Sequence, residues 1–221
     1  SLPSFDANLF TRGISQKEWN DLLNNPANPL FNRAISGIGY PTGSVIKPLI
    51  GVAALEEGVI SEDTSIFAPL EICVENIYTK EDQCFRDWTF HGTSNIIRGI
   101  AESVNTFFYI IGGGYEGFSG LGPVKIKEYI ERFGWGETTG IDLPGEGKGI
   151  LPEFDQNWRL GDTYHLSIGQ GPFAVTPLQV ASAFSAVANG GTLFEPRVVK
   201  EFVDEERNTL EVIGSNLRRE G

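Results

Sequence analysis

The sequence predicts an α+β domain in which helices dominate and strands are scarce. Three observations carry that expectation. A nearly all-apolar helical stretch runs from residue 44 to 58. Helical periodicity recurs on both sides of Ser103-Val104-Asn105 and again over 123–133 and 177–189. One segment alone, "FEPRVVKEFVDEE", alternates well enough to be a strand.

Residues 1–40 are polar and turn-rich around "NNPANP", with one short helix at "SQKEWNDLL". There Ser15 can cap and Glu18, three positions on, completes a capping box. In the next helix Val45, Ile46, Leu49, Ile50, Val52, Ala53 and Leu55 leave almost no polar face, so it belongs in a core, and Gly58 suits its stop. Residues 61–92 read as a loop-rich insertion. Ile96, Ile97, Ile100 and Ala101 precede the Ser103-Val104-Asn105 break, and Phe107, Phe108, Ile110 and Ile111 follow it. Pro123 to Phe133 is amphipathic, with Pro near its start and Gly134 after its end. "TTGIDLPGEGKGILP" is a run of turns, and the last helix is capped by Thr176 and stopped by Gly190-Gly191. No repeat, low-complexity tract or linker divides the chain.

Composition excludes more than it identifies. The net charge of −12 argues against phosphate-backbone binding, which needs clustered cations, so no nucleic-acid partner is expected. No stretch approaches the roughly 20 apolar residues of a membrane span. The chain opens without an initiator Met, as if in mid-protein, and any anchor is expected upstream of it. Cys73 and Cys84 flank "VENIYTKEDQ". The residues alone leave three alternatives: a short-loop disulfide, two free thiols, or metal ligands joined by Asp87 and His91 from "CFRDWTFHG".

Ser44 and Lys47 raise the sharpest chemical question. At i and i+3 on a helix they share a face, roughly 4.5 Å apart along the axis. A serine at a helix N-terminus lies beside unpaired backbone N–H groups that can stabilise an oxyanion. It becomes a nucleophile when a neighbouring base takes its proton, and a lysine serves as that base once burial destabilises its ammonium. The plain alternative is a capping serine and a lysine that snorkels to solvent. Ser103 and Asn105 could offer a hydroxyl and a carboxamide to the same cleft, or could simply be common helix-junction residues.

Ser-x-x-Lys with a Ser-x-Asn element is part of the motif set of penicillin-binding proteins and class A β-lactamases. Here the two elements read "YPTGSVIKP" and "ESVNTFFY". With "SLPSFDANLF", "PLFNRAISGIGYPTGSVIKP", "FRDWTFHG", "FGWGETTGIDLPGE" and "SIGQGPFAVTPLQVASAFSAVANGG", the chain resembles the transpeptidase domain of class B penicillin-binding proteins of the elongation type. The resemblance runs from one end to about residue 198.

The resemblance implies an antiparallel sheet with helices on both faces and the serine at the head of the central helix. It implies a serine-type D,D-transpeptidase that cross-links peptidoglycan stem peptides through an acyl-enzyme, with β-lactams acylating the same serine. Ser44 would be the nucleophile and Lys47 its base. Ser103 would shuttle a proton to the leaving amine, Asn105 would position Lys47 and the substrate amide, and the Ser44 backbone N–H would form half of the oxyanion hole. No cofactor is implied. The partners would be stem peptides, β-lactams and a membrane glycosyltransferase of the elongation machinery, at the outer face of the cytoplasmic membrane. The alternatives are a β-lactamase or β-lactam sensor, or a non-catalytic scaffold.

Two departures stand out. No Lys-Thr-Gly follows residue 105, so the domain is expected to be partial, with its N-terminal and C-terminal sheet strands missing and little activity by itself. In some elongation-type relatives a ligand from the second element joins an Asp and a His on zinc; Asp87 and His91 are present but Val104 offers no donor, so no metal is expected. A domain working outside the membrane favours the disulfide, for which a Cα–Cα separation of roughly 4.4–6.8 Å is expected.

Overall fold

A computed structural model describes residues 3–76 and 80–220. Helix α1 (Asn8–Thr11) is a single turn, and α2 (Gln16–Leu23) begins on the expected capping box. The Ser15 backbone N–H donates to Glu18 Oε2 at 2.9 Å, and Ser15 Oγ accepts from the Glu18 N–H at 3.3 Å.

The long apolar helix is built in two pieces. Gly43–Ile46 form a 3-10 turn, and α3 proper is Lys47–Glu56. Pro48 explains the change. It has no N–H to give Ser44 an α-type bond, so the Lys47 N–H takes the Ser44 carbonyl in the tighter pattern instead. Helix α3 buries Leu49, Ile50 and Ala53 as expected, and Ala54 and Lys47 with them, whereas Val45, expected in the apolar body, is exposed on the 3-10 turn.

Residues 61–92 are not a loop-rich insertion. They hold β1 (Ile66–Ala68), β2 (Glu71–Glu75) and β3 (Asp82–Arg86), and β4 (Gly92–Ser94) follows. Strand β1 pairs with β4, and the β2–β3 hairpin lies between them in sequence. The segment 77–79 lies outside the described residues. These strands are too short to display alternation, and they are held by cross-strand partners that a single pass along the chain does not reveal.

Cys73 and Cys84 are disulfide-bonded and directly opposite each other in the hairpin. Their Cα atoms are 4.0 Å apart, closer than expected. The register accounts for it. Asn76 N–H bonds the Glu81 carbonyl and Asp87 N–H bonds the Leu70 carbonyl, which by alternation makes 73/84 a non-hydrogen-bonded pair, where antiparallel strands approach most closely. The bridge uses both thiols and closes the alternatives of free cysteines and of cysteine metal ligands.

Helices α4 (Ile96–Ala101) and α5 (Asn105–Gly113) flank the Ser103 break as predicted, and α6 is Gly122–Arg132. Helix α7 (Leu160–Ser167) has no counterpart among the sequence expectations, while α8 (Pro177–Ala188) starts at the Thr176 cap. The expected strand in "FEPRVVKEFVDEE" is interrupted. Leu193–Phe194 (β5) and Glu201–Val203 (β6) are extended, but between them Asp142 accepts the Val198 and Val199 N–H groups at 2.8 and 2.9 Å. Those donors are taken by a side chain and cannot join a ladder. Strands β7 (Thr209–Val212) and β8 (Leu217–Arg219) pair with β6 and β5. Among the described residues all four sheets are two-stranded.

The core is centred on α5, buried from Thr106 to Gly112. A Cβ on Gly112 would fall 1.9 Å from Ser167 Oγ, so glycine there lets α7 lie directly against α5. Phe85 of β3 packs edge-on against Tyr109 and Tyr164, which joins the disulfide hairpin to both helices. A second tie fixes the turn before α3. Tyr40 and Val175 exchange backbone hydrogen bonds of 2.8 and 3.0 Å, and Gly43 N–H donates to the Gly169 carbonyl at 3.0 Å. Gly169 has φ of +73°, and a Cβ there would lie 2.2 Å from the Gly43 carbonyl oxygen.

Two outcomes follow. Cys73→Ser with Cys84→Ser should lower stability by about 2–3 kcal/mol, the chain-entropy value for a ring of this size; equal urea midpoints for the two proteins would contradict it. Gly169→Ala should cost about 1–3 kcal/mol from backbone conformation, with the clash against Gly43 in addition. The same melt would show a wild-type midpoint if the contact were unimportant.

Candidate active site

Ser44 lies on the 3-10 turn that leads into α3, and Lys47 opens the helix one turn on. Ser44 is exposed, and Lys47 is only 1% exposed. A buried ammonium needs oxygen partners, and it finds three. Nζ donates to the Ser103 carbonyl at 2.8 Å, to Ser103 Oγ at 3.0 Å and to Asn105 Oδ1 at 2.7 Å. The Phe108 ring lies 5.4 Å away and completes an apolar wall. Burial lowers the Lys47 pKa from its ordinary 10.5 to about 8, against a smaller upward pull from the Asp87 charge.

Ser103 reaches Lys47 through an unusual backbone. Its φ is +54°, in the left-handed region. The junction is held by the Ser103 N–H to Ile100 carbonyl bond at 3.2 Å and the Val104 N–H to Gly99 carbonyl bond at 2.9 Å. A left-handed residue between two helices turns the chain sharply enough for α5 to restart two residues later. Val104 then points into the core, fully buried, while Ser103 and Asn105 face the lysine.

Of the four predicted residues, the structure brings Lys47, Ser103 and Asn105 into direct hydrogen bonding. Ser44 is joined to Lys47 only through the backbone of the 3-10 turn, and the expected direct contact between hydroxyl and amine is not among the described hydrogen bonds. The reason is geometric: the lysine's three donors are occupied on its inner side.

Asp87 and His91 form a second buried cluster. Asp87 Oδ2 accepts from the Thr106 N–H at 2.8 Å and from Thr106 Oγ1 at 3.0 Å, and Oδ1 accepts from the Trp88 N–H at 2.8 Å. His91 Nε2 lies 3.7 Å from Asp87 Oδ1 and has no hydrogen bond, while Nδ1 is 2.8 Å from Glu102 Oε2. Hydrogen bonds from Arg98 and then His91 hold the Glu102 carboxyl below its usual range. These residues do not fit a metal. Among the described residues no group of three or more His, Cys, Asp or Glu side chains is placed to hold a metal ion; the neighbouring Val104 is apolar and both thiols are in a disulfide. The sequence offers Asp87 only as a metal ligand; its bonds to Thr106 join residues 19 positions apart and leave no local signal.

A family model described as the penicillin binding protein transpeptidase domain matches residues 1–217. The chain is 36% identical over 214 residues to the peptidoglycan D,D-transpeptidase MrdA of Escherichia coli, covering 93% of this chain and 32% of that protein. It therefore spans about a third of the length of that relative. Among solved structures, penicillin-binding protein PBP2 of Helicobacter pylori in complex with MreC is 36% identical with a TM-score of 0.76, over 97% of this chain and 38% of that one. The penicillin G acyl-enzyme of penicillin-binding protein A from M. tuberculosis is 25% identical with a TM-score of 0.74, over 100% of this chain and 49% of that one. With the family matched over nearly the whole chain and the same fold in these structures, the chain belongs to the penicillin-binding-protein transpeptidase family.

Proposed function

We propose that this chain is the serine-bearing portion of a peptidoglycan D,D-transpeptidase. The observation that carries the reading is the buried Lys47 amine, held by Ser103 and Asn105 one helical turn from an exposed Ser44. A lysine with a pKa near 8 has a usable neutral fraction at physiological pH, which an exposed lysine lacks.

In the proposed reaction the neutral Lys47 amine takes the Ser44 proton as Oγ attacks the penultimate D-Ala carbonyl of a stem peptide. The Ser44 backbone N–H, free at the head of the 3-10 turn, faces the developing oxyanion. Collapse breaks the D-Ala–D-Ala amide. The proton passes from Lys47 through the Ser103 hydroxyl to the leaving amine, a path drawn by the 3.0 Å contact. Terminal D-Ala leaves, and an amino group of a second stem peptide takes the acyl group and restores Ser44. A β-lactam follows the first half of this route and stops at the acyl-enzyme.

The disulfide supports a site outside the cytoplasmic membrane, where thiols are oxidised. Among the described residues no helix is long and apolar enough to cross a membrane. The Helicobacter relative's complex with MreC supports an assembly with a partner of that kind for the whole protein, and a membrane glycosyltransferase is the further partner this reading expects.

A fluorescent penicillin tests the reading on the full-length protein. Stable labelling at Ser44 is expected; rapid turnover would point to a β-lactamase, and no labelling to a scaffold. Ser44→Ala should abolish acylation. Lys47→Ala should slow it by about 10²–10⁴-fold, the range for loss of a general base, and Lys47→Arg should not restore it. Near-normal acylation of Lys47→Ala would remove lysine from the mechanism. The rate should also rise with pH through about 8, as the lowered Lys47 pKa places its neutral form above that point. A flat profile between pH 6 and 9 would contradict this assignment. The linkage has the same sign: between about 8 and 10.5 the unfolded chain holds a proton that the native Lys47 has lost, so this residue's contribution to stability grows with pH.

A further inference from the structure

We propose that Asp87 is a positioning residue for the transfer chemistry: its carboxylate anchors the first turn of α5 and so sets where Ser103 and Asn105 meet Lys47. The inference rests on the transpeptidase reading only for its consequence in rate; the anchoring itself rests on the geometry below.

Helix α5 starts without a cap of its own. Its N-cap residue, Val104, has no polar side chain, and the side chain is committed to the core. The exposed donors of a first turn then need a partner from elsewhere. Asp87 supplies it from 19 residues upstream, accepting both the Thr106 N–H and the Thr106 hydroxyl on a single oxygen. A negative charge at a helix N-terminus also complements the helix dipole. Asp87 is itself fixed. Its N–H is bonded to the Leu70 carbonyl, its other oxygen to the Trp88 N–H, and it directly follows β3 of the disulfide hairpin. At 3% exposure it has no alternative partner in solvent.

Thr106 immediately follows Asn105, so the anchor acts one residue from the carboxamide that holds Lys47. Asp87 makes no hydrogen bond to Lys47, Ser103 or Asn105 and acts through the helix. Its charge is also felt at Lys47, whose other close neighbours, Ser103, Asn105 and the Phe108 ring, are neutral. A carboxamide at position 87 keeps the shape, loses the charge and turns an NH₂ toward one of the two backbone donors.

The test measures penicillin acylation of the full-length protein, separating the non-covalent binding constant from the acylation rate constant. With Asp87→Asn the rate constant should fall by about 10–100-fold, as small misplacements of catalytic groups do, with the binding constant unchanged within about twofold. A merely destabilised protein would instead lose labelled fraction while the remaining molecules kept their rate. A folded Asp87→Asn protein acylating within about twofold of wild type would overturn the proposal. If that variant does not fold, Thr106→Val decides: it removes the hydroxyl donor alone, and a rate constant reduced by about threefold or more supports the anchor, while an unchanged one overturns it. If the unsubstituted protein is not labelled at Ser44, the transpeptidase reading fails by itself. Amide hydrogen exchange at Thr106 then decides for Asp87: exchange faster by about tenfold or more in Asp87→Asn than in wild type supports the anchor, and an unchanged rate overturns it.

Discussion

A single buried cation organises this part of the domain. Lys47 is carried into the core by a helix whose other inward residues are aliphatic, and an ammonium left there without partners would be strongly unfavourable. Ser103 and Asn105 make its position tolerable with three oxygens. That requirement fixes how α3 lies against the α4–α5 junction. It also sets Lys47, with Ser103 and Asn105, one helical turn from the exposed Ser44, so the stability of the packing and the proposed chemistry depend on the same contacts.

Around that contact, structure is arranged to hold backbone in place. The Gly43 turn is clamped from one side by Gly169 and the Tyr40–Val175 bridge. The junction is reached from the other side by Asp87, at the end of a hairpin closed by a disulfide and packed through Phe85 on α5 and α7. Two segments distant in sequence thus locate the two halves of the site. Neither contributes a side chain to the hydrogen bonds of Lys47.

Much of this was legible where the determining forces are local. Both predicted caps form: Ser15 in its expected box with Glu18, and Thr176, for which the structure adds a reciprocal bond with Gln179, each within four residues. The Lys47–Ser103–Asn105 meeting was legible through motif resemblance, with residue spacing permitting it. The remainder is decided by distant partners. Helix α7 has a glycine at its second position, and it is held by packing of Tyr164 against Phe85 and Tyr109. The hairpins of 66–94 depend on register, and Pro48 altered the hydrogen-bond pattern at Ser44 in a way that apolar periodicity does not report.

The left-handed backbone at Ser103 narrows the chemistry this position can host. An aliphatic hydroxyl there is offered by two amino acids, serine and threonine, and for the proposed proton relay they are near equivalents. At φ of +54° they are not, because a β-branched side chain is strongly disfavoured in that conformation. Glycine would relax the backbone and lose the oxygen; asparagine would accept the backbone and substitute an amide. The shape of the turn, as much as the need for a hydroxyl, thus restricts the choice to serine.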